Sequence, residues 1–344
     1  MARKNARAVN GILLLDKPLE VSSNGILQRV RWLFQAQKAG HTGALDPMAS
    51  GLLPICFGEA TKFSQFLLDT DKTYLVSAIF GVRTSTSDAE GEVISQRPVS
   101  HSQADLERAL QAFRGDILQV PTMFSALKYQ GQPLYRYARQ GIEVPREARP
   151  ISIFRFELLK HSDKTADFLV HCSKGTYIRT LIDDLGEALG CGAHVAALHR
   201  TQVGPFTAEQ MISPAQLDAL AEPCHQSGDF SAMDNLLLPL DAGITAMPAV
   251  QLTAAEQHRL QHGQSCQLQQ PDISAIKLLG WPLGFLLLSR SANRPFLLIE
   301  FLAFALFVAS VMGIRPIKHY PDILLVLHLF MLVLNVQTTR VILS

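Results

Sequence analysis

Several familiar classes are excluded by what this 344-residue sequence has little of. Its five cysteines, Cys56, Cys172, Cys191, Cys224 and Cys266, are odd in number and form no C-x-x-C pair. That argues against a secreted disulfide framework and a zinc site, and a reducing compartment fits best. Bulk positive charge is missing too, since residues 1–275 carry 25 basic and 28 acidic side chains. Any nucleic-acid contact must therefore come from a local patch. At the N-terminus only four consecutive aliphatics, Ile12 to Leu15, precede Asp16 and Lys17, too short a run for a signal peptide. Lys174-Gly175 resembles a phosphate loop superficially, but G-x-x-x-x-G-K-[ST] is absent and nucleoside-triphosphate chemistry is not implied. No internal repeat is found, and no low-complexity tract precedes residue 270.

What is present is a globular composition, 48% hydrophobic and 18% charged, in a chain long enough for two domains. Gly11 to Leu15 reads as a buried strand, followed by a helix opened by Ser22, Ser23 or Asn24 and lined by Ile26, Leu27, Val30 and Leu33. The glycine- and proline-rich run from Lys38 to Lys62 reads as mostly loop and a candidate site, with a helix from Ala60 to Leu68. Tyr74 to Phe80, Ile151 to Phe156 and 166–172 read as strands, and Gln103 to Phe113 as an amphipathic helix. A helix from Ile178 ends at Gly190, and Ala221 to Asn235 reads as a polar connection. Without a strict βαβ rhythm, the expected class is α+β on a mixed, mostly antiparallel sheet.

After Gln270 the character changes. Residues 296–314 form a 19-residue apolar run with one charge and 323–336 a 14-residue run with none. The first is long enough for a marginal membrane span and the second is short for one. Either the tail is an anchor, or it lacks selected structure because the reading frame was lost near residues 270–276; the second is the expectation. A membrane partner follows only if the anchor is real.

Three segments can carry chemistry. In GHTGALDPMASGLLP, Asp46 precedes Pro47, which keeps its backbone out of the helical region and presents the carboxylate as nucleophile or base. Its alternative is a turn or capping residue, and that of His41 is a loop hydrogen-bonder. In CSKGTYIRTLIDDLG, Arg179 falls near the apolar face of a helix and needs a carboxylate partner, either a catalytic aspartate or local Asp183 or Asp184. From Ser125 to Pro150, the basic residues Lys128, Arg136, Arg139, Arg146 and Arg149 interleave with Tyr129, Tyr135 and Tyr137. Such a surface could grip a phosphate backbone and stack on bases, or be a solvated charged face. Arg3, Lys4 and Arg7 add a second basic arm.

These motifs, with NGILLLDKPLEVSSN and DKTYLVSAIFGVRTSTSDAEG, resemble the TruB family of tRNA pseudouridine(55) synthases from about Val9 to Asp241. The resemblance implies a pseudouridine-synthase fold with a basic thumb-like insertion at 125–150 and a cytoplasmic isomerase that flips uridine 55 out of the tRNA T loop. It needs no cofactor and implies no protein partner. It makes Asp46 the catalytic aspartate, Tyr74 the tyrosine stacking on the base and Arg179 the partner of Asp46. His41 would fill the gap left by the flipped nucleotide, and Leu198 would wall the pocket. Lys17, Thr42, Lys128, Tyr129, Arg136, Arg139 and Arg146 would complete the substrate contacts. Glu20 replaces a common glycine and is expected to matter little. Residues 1–241 would form the catalytic domain and 242–270, with LTAAEQHRLQHGQ, would begin a PUA-type domain, whereas 271–344 do not match the family. A non-catalytic tRNA-binding folding helper is the competing function.

Overall fold

The computed structural model describes residues 6–245, 249–251, 253–261 and 277–279. The chain divides into two units, Met1–Ala246 and Met247–Ser344. In the first, strand β1 (Gly11–Lys17) leads into helix α1 (Ser23–Leu33), whose N-terminus is capped by Ser22 Oγ accepting from Gly25 N at 3.0 Å. The run read as mostly loop then departs from expectation. It forms β2 (Ala39–His41) and the nine-residue β3 (Ala49–Phe57). Its leucines, Ile55 and Phe57 are buried, and Pro54, which removes one ladder donor, still accepts Thr42 N through its carbonyl at 3.1 Å. Gly51 and Pro54 mimic a loop, but burial on both faces decides for a strand in β3.

Helix α2 (Ser64–Asp69) precedes β4 (Lys72–Phe80), and β5 (Val82–Thr84) with β6 (Val93–Gln96) forms a separate hairpin. Helix α3 (Gln103–Ala112) starts with a Ser102/Asp105 capping box. Strand β7 (Gly115–Gln119) pairs with β10 (Arg149–His161), and between them lie β8 (Lys128–Tyr129), β9 (Gln132–Pro133) and α4 (Leu134–Ala138). Residues 120–148 are thus an excursion from a hairpin whose ends are fixed by the sheet. Then follow β11 (Thr165–Cys172), α5 (Ile178–Ala188), β12 (Ala193–Val203) and β13 (Phe206–Thr207). Ala221 to Asn235, expected as a connection, belongs largely to α6 (Pro214–Ser227) and α7 (Ser231–Asp234). Leu217, Ala221 and Cys224 bury one stripe of α6 while Pro223 sits on its exposed side. That packing outweighs the broken bond at Pro223.

The sheet order is β1-β3-β12-β4-β11-β10-β7, with β2 on β3 and β13 on β12. Only the β3–β12 pairing in this sheet is parallel, so the mixed, mostly antiparallel α+β expectation holds. Helices α3 and α5 pack Leu106, Leu110, Leu181, Ile182 and Leu185 against β4, β10, β11 and β12. Helices α1, α6 and α7 enclose a second cluster with β1 and β3. Gly186 lets α5 close on β12, where an added Cβ would meet Ala193 N at 2.2 Å.

In the second unit, β14 (Ala249–Gln251) pairs in parallel with β15 (Lys277–Leu279), and α8 (Ala254–Gln261) lies between them in sequence. Among the described residues no helix is long and apolar enough to cross a membrane. Both apolar runs of the tail, 296–314 and 323–336, lie outside the described residues.

Candidate active site

The turn between β2 and β3 carries Asp46, and three neighbours hold it. Ser23 Oγ donates to Leu45 O at 2.9 Å and accepts Leu45 N at 2.8 Å. Glu20 N donates to Pro47 O at 2.8 Å. Lys17 Nζ donates to Ala49 O at 2.7 Å, Pro47 O at 3.4 Å and Pro18 O at 2.9 Å. Lys17 was expected to touch substrate, but it is wholly buried, and its three donors serve these carbonyls. It therefore braces the Asp46 turn, and burial lowers its ammonium to about 8. Glu20 has a φ of 65°, the left-handed region that suits glycine, so its backbone is strained there.

Helix α5 brings Arg179 to this turn. Gln119 at the end of β7 fixes the helix start, accepting Tyr177 N at 2.8 Å and donating to Tyr177 O at 3.0 Å. The Arg179 side chain is 7% exposed, and Nη2 lies 2.9 Å from Asp46 Oδ2. Its remaining donors reach Asp88 Oδ2 at 3.1 Å, Thr86 O at 3.2 Å and Phe124 O at 3.0 Å. One guanidinium thus ties the Asp46 turn to the β5–β6 connection and to the excursion. The alternative pairing with Asp183 is not seen, because Asp183 engages Arg83.

Asp88, which sequence reading missed, is buried and accepts Glu90 N at 3.1 Å as well as Thr86 Oγ1. The residue lies within the quoted STSDAEG motif, but nothing local distinguishes it from a turn aspartate. Asp46 keeps 42% of its side chain exposed, so of the two carboxylates on Arg179 it is the one open to a ligand. Burial, with a contribution from Asp88, raises the Asp46 carboxyl above its ordinary value, and Arg179 and Lys17 pull against that rise.

Tyr74 on β4 and Leu198 on β12 are nearly buried and share one apolar cluster with Leu45, Met48 and Ile178. They are the apolar side chains grouped with the Asp46 turn. His41 is half-buried on β2, and burial followed by the Arg200 charge lowers its pKa, which favours the neutral imidazole. Thr42, a predicted substrate contact, is wholly buried.

In the excursion, Lys128, Arg136 and Arg139 are exposed, and none has an ion-pair partner among the described residues. Tyr137 Oη donates to Tyr129 O at 3.2 Å with the rings edge to face, and Arg139 stands 5.5 Å from the Tyr135 ring centre. Arg146 differs from its expected role. It donates to Pro121 O at 3.0 Å and Glu143 at 2.9 Å, closing the excursion's end onto its start.

Residues 31–178 match the TruB family pseudouridylate synthase N-terminal domain, and residues 179–245 the tRNA pseudouridylate synthase B C-terminal domain. Fold and matched domains together define a pseudouridylate synthase. Similar chains include the tRNA pseudouridine synthase B of Psychromonas ingrahamii, 52% identical over 282 residues, covering 81% of this chain and 91% of that one. That of Haemophilus influenzae is 57% identical over 262 residues, 76% of this chain and 83% of the other. The chain belongs to the TruB family. A solved chain from a Cbf5-Nop10-Gar1 complex shares the fold, with a TM-score of 0.61 and 24% identity over 81% of this chain and 83% of that one.

Proposed function

We propose that the chain isomerises uridine 55 in the T loop of tRNA to pseudouridine, with Asp46 as the catalytic carboxylate. The observation that carries this reading is a half-exposed carboxylate held by a buried guanidinium, itself bound to Asp88 and two backbone carbonyls, beside a near-buried tyrosine and leucine. The reaction breaks C1′–N1, rotates the base and forms C1′–C5; C5 loses a proton and N1 gains one, so no redox equivalent is consumed. A nucleophilic or basic carboxylate is the group this chemistry asks for. The base must leave the loop to reach Asp46, and stacking on Tyr74 with phosphate contacts from Lys128, Arg136 and Arg139 offsets the unstacking. His41 fills the gap left in the loop, Leu198 walls the pocket, and residues 242–270 begin a PUA-type RNA-binding domain.

Incubating the full chain with unmodified tRNA and mapping pseudouridine by mass spectrometry tests this. Product is expected at position 55, none when that uridine is replaced by cytidine, and none from Asp46→Asn despite retained tRNA binding. Product from Asp46→Asn, or product elsewhere, would refute the reading.

A further inference from the structure

Among the described residues Arg200 on β12, with 1% of its surface exposed, is the largest side chain so fully enclosed, and no ion pair includes it. An unpaired guanidinium is expensive to bury, so its donors must be spoken for. Nε donates to Leu52 O at 2.8 Å and Nη2 to Gly43 O at 3.1 Å. Its backbone is fixed from both sides, in parallel register with Gly51 on β3 and opposite Tyr74 on β4. At Gly51, with φ of 101°, a Cβ would lie 2.3 Å from Arg200 O, so the two strands approach this closely only because glycine is there.

Directly opposed residues of an antiparallel pair project to the same face, so Arg200 and Tyr74 share one face of the sheet. The positive charge of Arg200 opposes the rise that burial imposes on the Tyr74 phenol. The same guanidinium grips Gly43, three residues before Asp46.

We propose that Arg200 is a positioning residue for the isomerisation: with one guanidinium on Leu52 O and Gly43 O, it holds the turn leading to Asp46 against β3, on the sheet face it shares with Tyr74. The inference rests on the assignment of Asp46 and Tyr74 to the reaction centre. Arg200 touches no substrate and acts through these neighbours.

The test is single-turnover pseudouridine formation with saturating unmodified tRNA. Arg200→Lys and Arg200→Met are compared with the wild type, with tRNA Kd measured in parallel. Arg200→Lys keeps the charge but cannot serve Leu52 and Gly43 together. The expected result is a rate loss of roughly 10-fold for Arg200→Lys and about 10- to 100-fold for Arg200→Met, with Kd within about threefold of wild type. A wild-type rate for Arg200→Lys, or a tRNA Kd weakened as much as the rate, would overturn the proposal. Should Arg200→Met fail to melt cooperatively, Arg200→Lys decides. Asp46→Asn runs alongside: if it stays active, the assignment of the reaction centre fails, and that failure is separable from one at Arg200.

Discussion

The Asp46 turn and the 120–148 excursion both carry charge, but they dispose of it in opposite ways. Around Asp46 the protein answers its own charges: Arg179 serves two carboxylates and two carbonyls, and Lys17 serves three carbonyls. In the excursion Lys128, Arg136 and Arg139 are exposed and have no ion-pair partner among the described residues. A buried charge must be satisfied internally and is thereby locked in place, whereas an exposed one costs little to leave free and can adapt to a ligand. Geometry is set in the first region, and attraction is available in the second.

Breaking the buried side should have the largest effect. Arg179→Met leaves Asp46 and Asp88 without their shared cation, and a loss of about 3–5 kcal/mol in unfolding free energy is expected from denaturant titration, together with loss of activity. An unchanged midpoint would show that the guanidinium holds nothing.

The exposed side should respond otherwise. Replacing Lys128, Arg136 and Arg139 together by alanine should weaken tRNA binding and flatten the dependence of log K on log salt by about 2 to 3 units. The rate at saturating tRNA and the melting temperature should stay near wild type. A triple variant with an unaltered salt slope would remove the excursion from the RNA contact.

The pH profile sharpens the contrast within the buried region. Burial raises the Asp46 carboxyl, and the ionised form is the one proposed to react. The single-turnover rate should therefore rise with pH along a limb displaced upward from that of an ordinary aspartate, and fall as Asp46 takes up its proton. A rate flat from pH 4 upward would contradict that shift. The smallest expected effect is at Glu20, whose φ of 65° favours glycine. Glu20→Gly should stabilise by roughly 0.5–1 kcal/mol, since relief of left-handed strain exceeds the added chain entropy. A lower melting temperature would show that the Glu20 side chain contributes something its backbone does not reveal.

Much of the first unit was legible. Strands β1, β4 and β11 and helices α1, α3 and α5 follow from apolar spacing and caps, because those signals are local. Strand β3 and helix α6 were missed, because Gly51, Pro54 and Pro223 imitate breaks and only packing overrides them. The pairing of Arg179 with a carboxylate was foreseeable from a cation on an apolar helix face. Its second partner Asp88 was not, since 91 residues separate them.

By itself the sequence determined which side chains are chemically able to act: a presented aspartate, a helix-borne arginine that must find an anion, and a stretch of tyrosines and cations. Those are properties of residue type and near neighbours. Tertiary structure alone decided that Lys17 and Arg146 serve the protein's own carbonyls, that Asp88 shares Arg179, and that Arg200 lies across from Tyr74. Each depends on which distant backbone groups burial leaves in need of a donor, and strand register, rather than local sequence, brings those groups together.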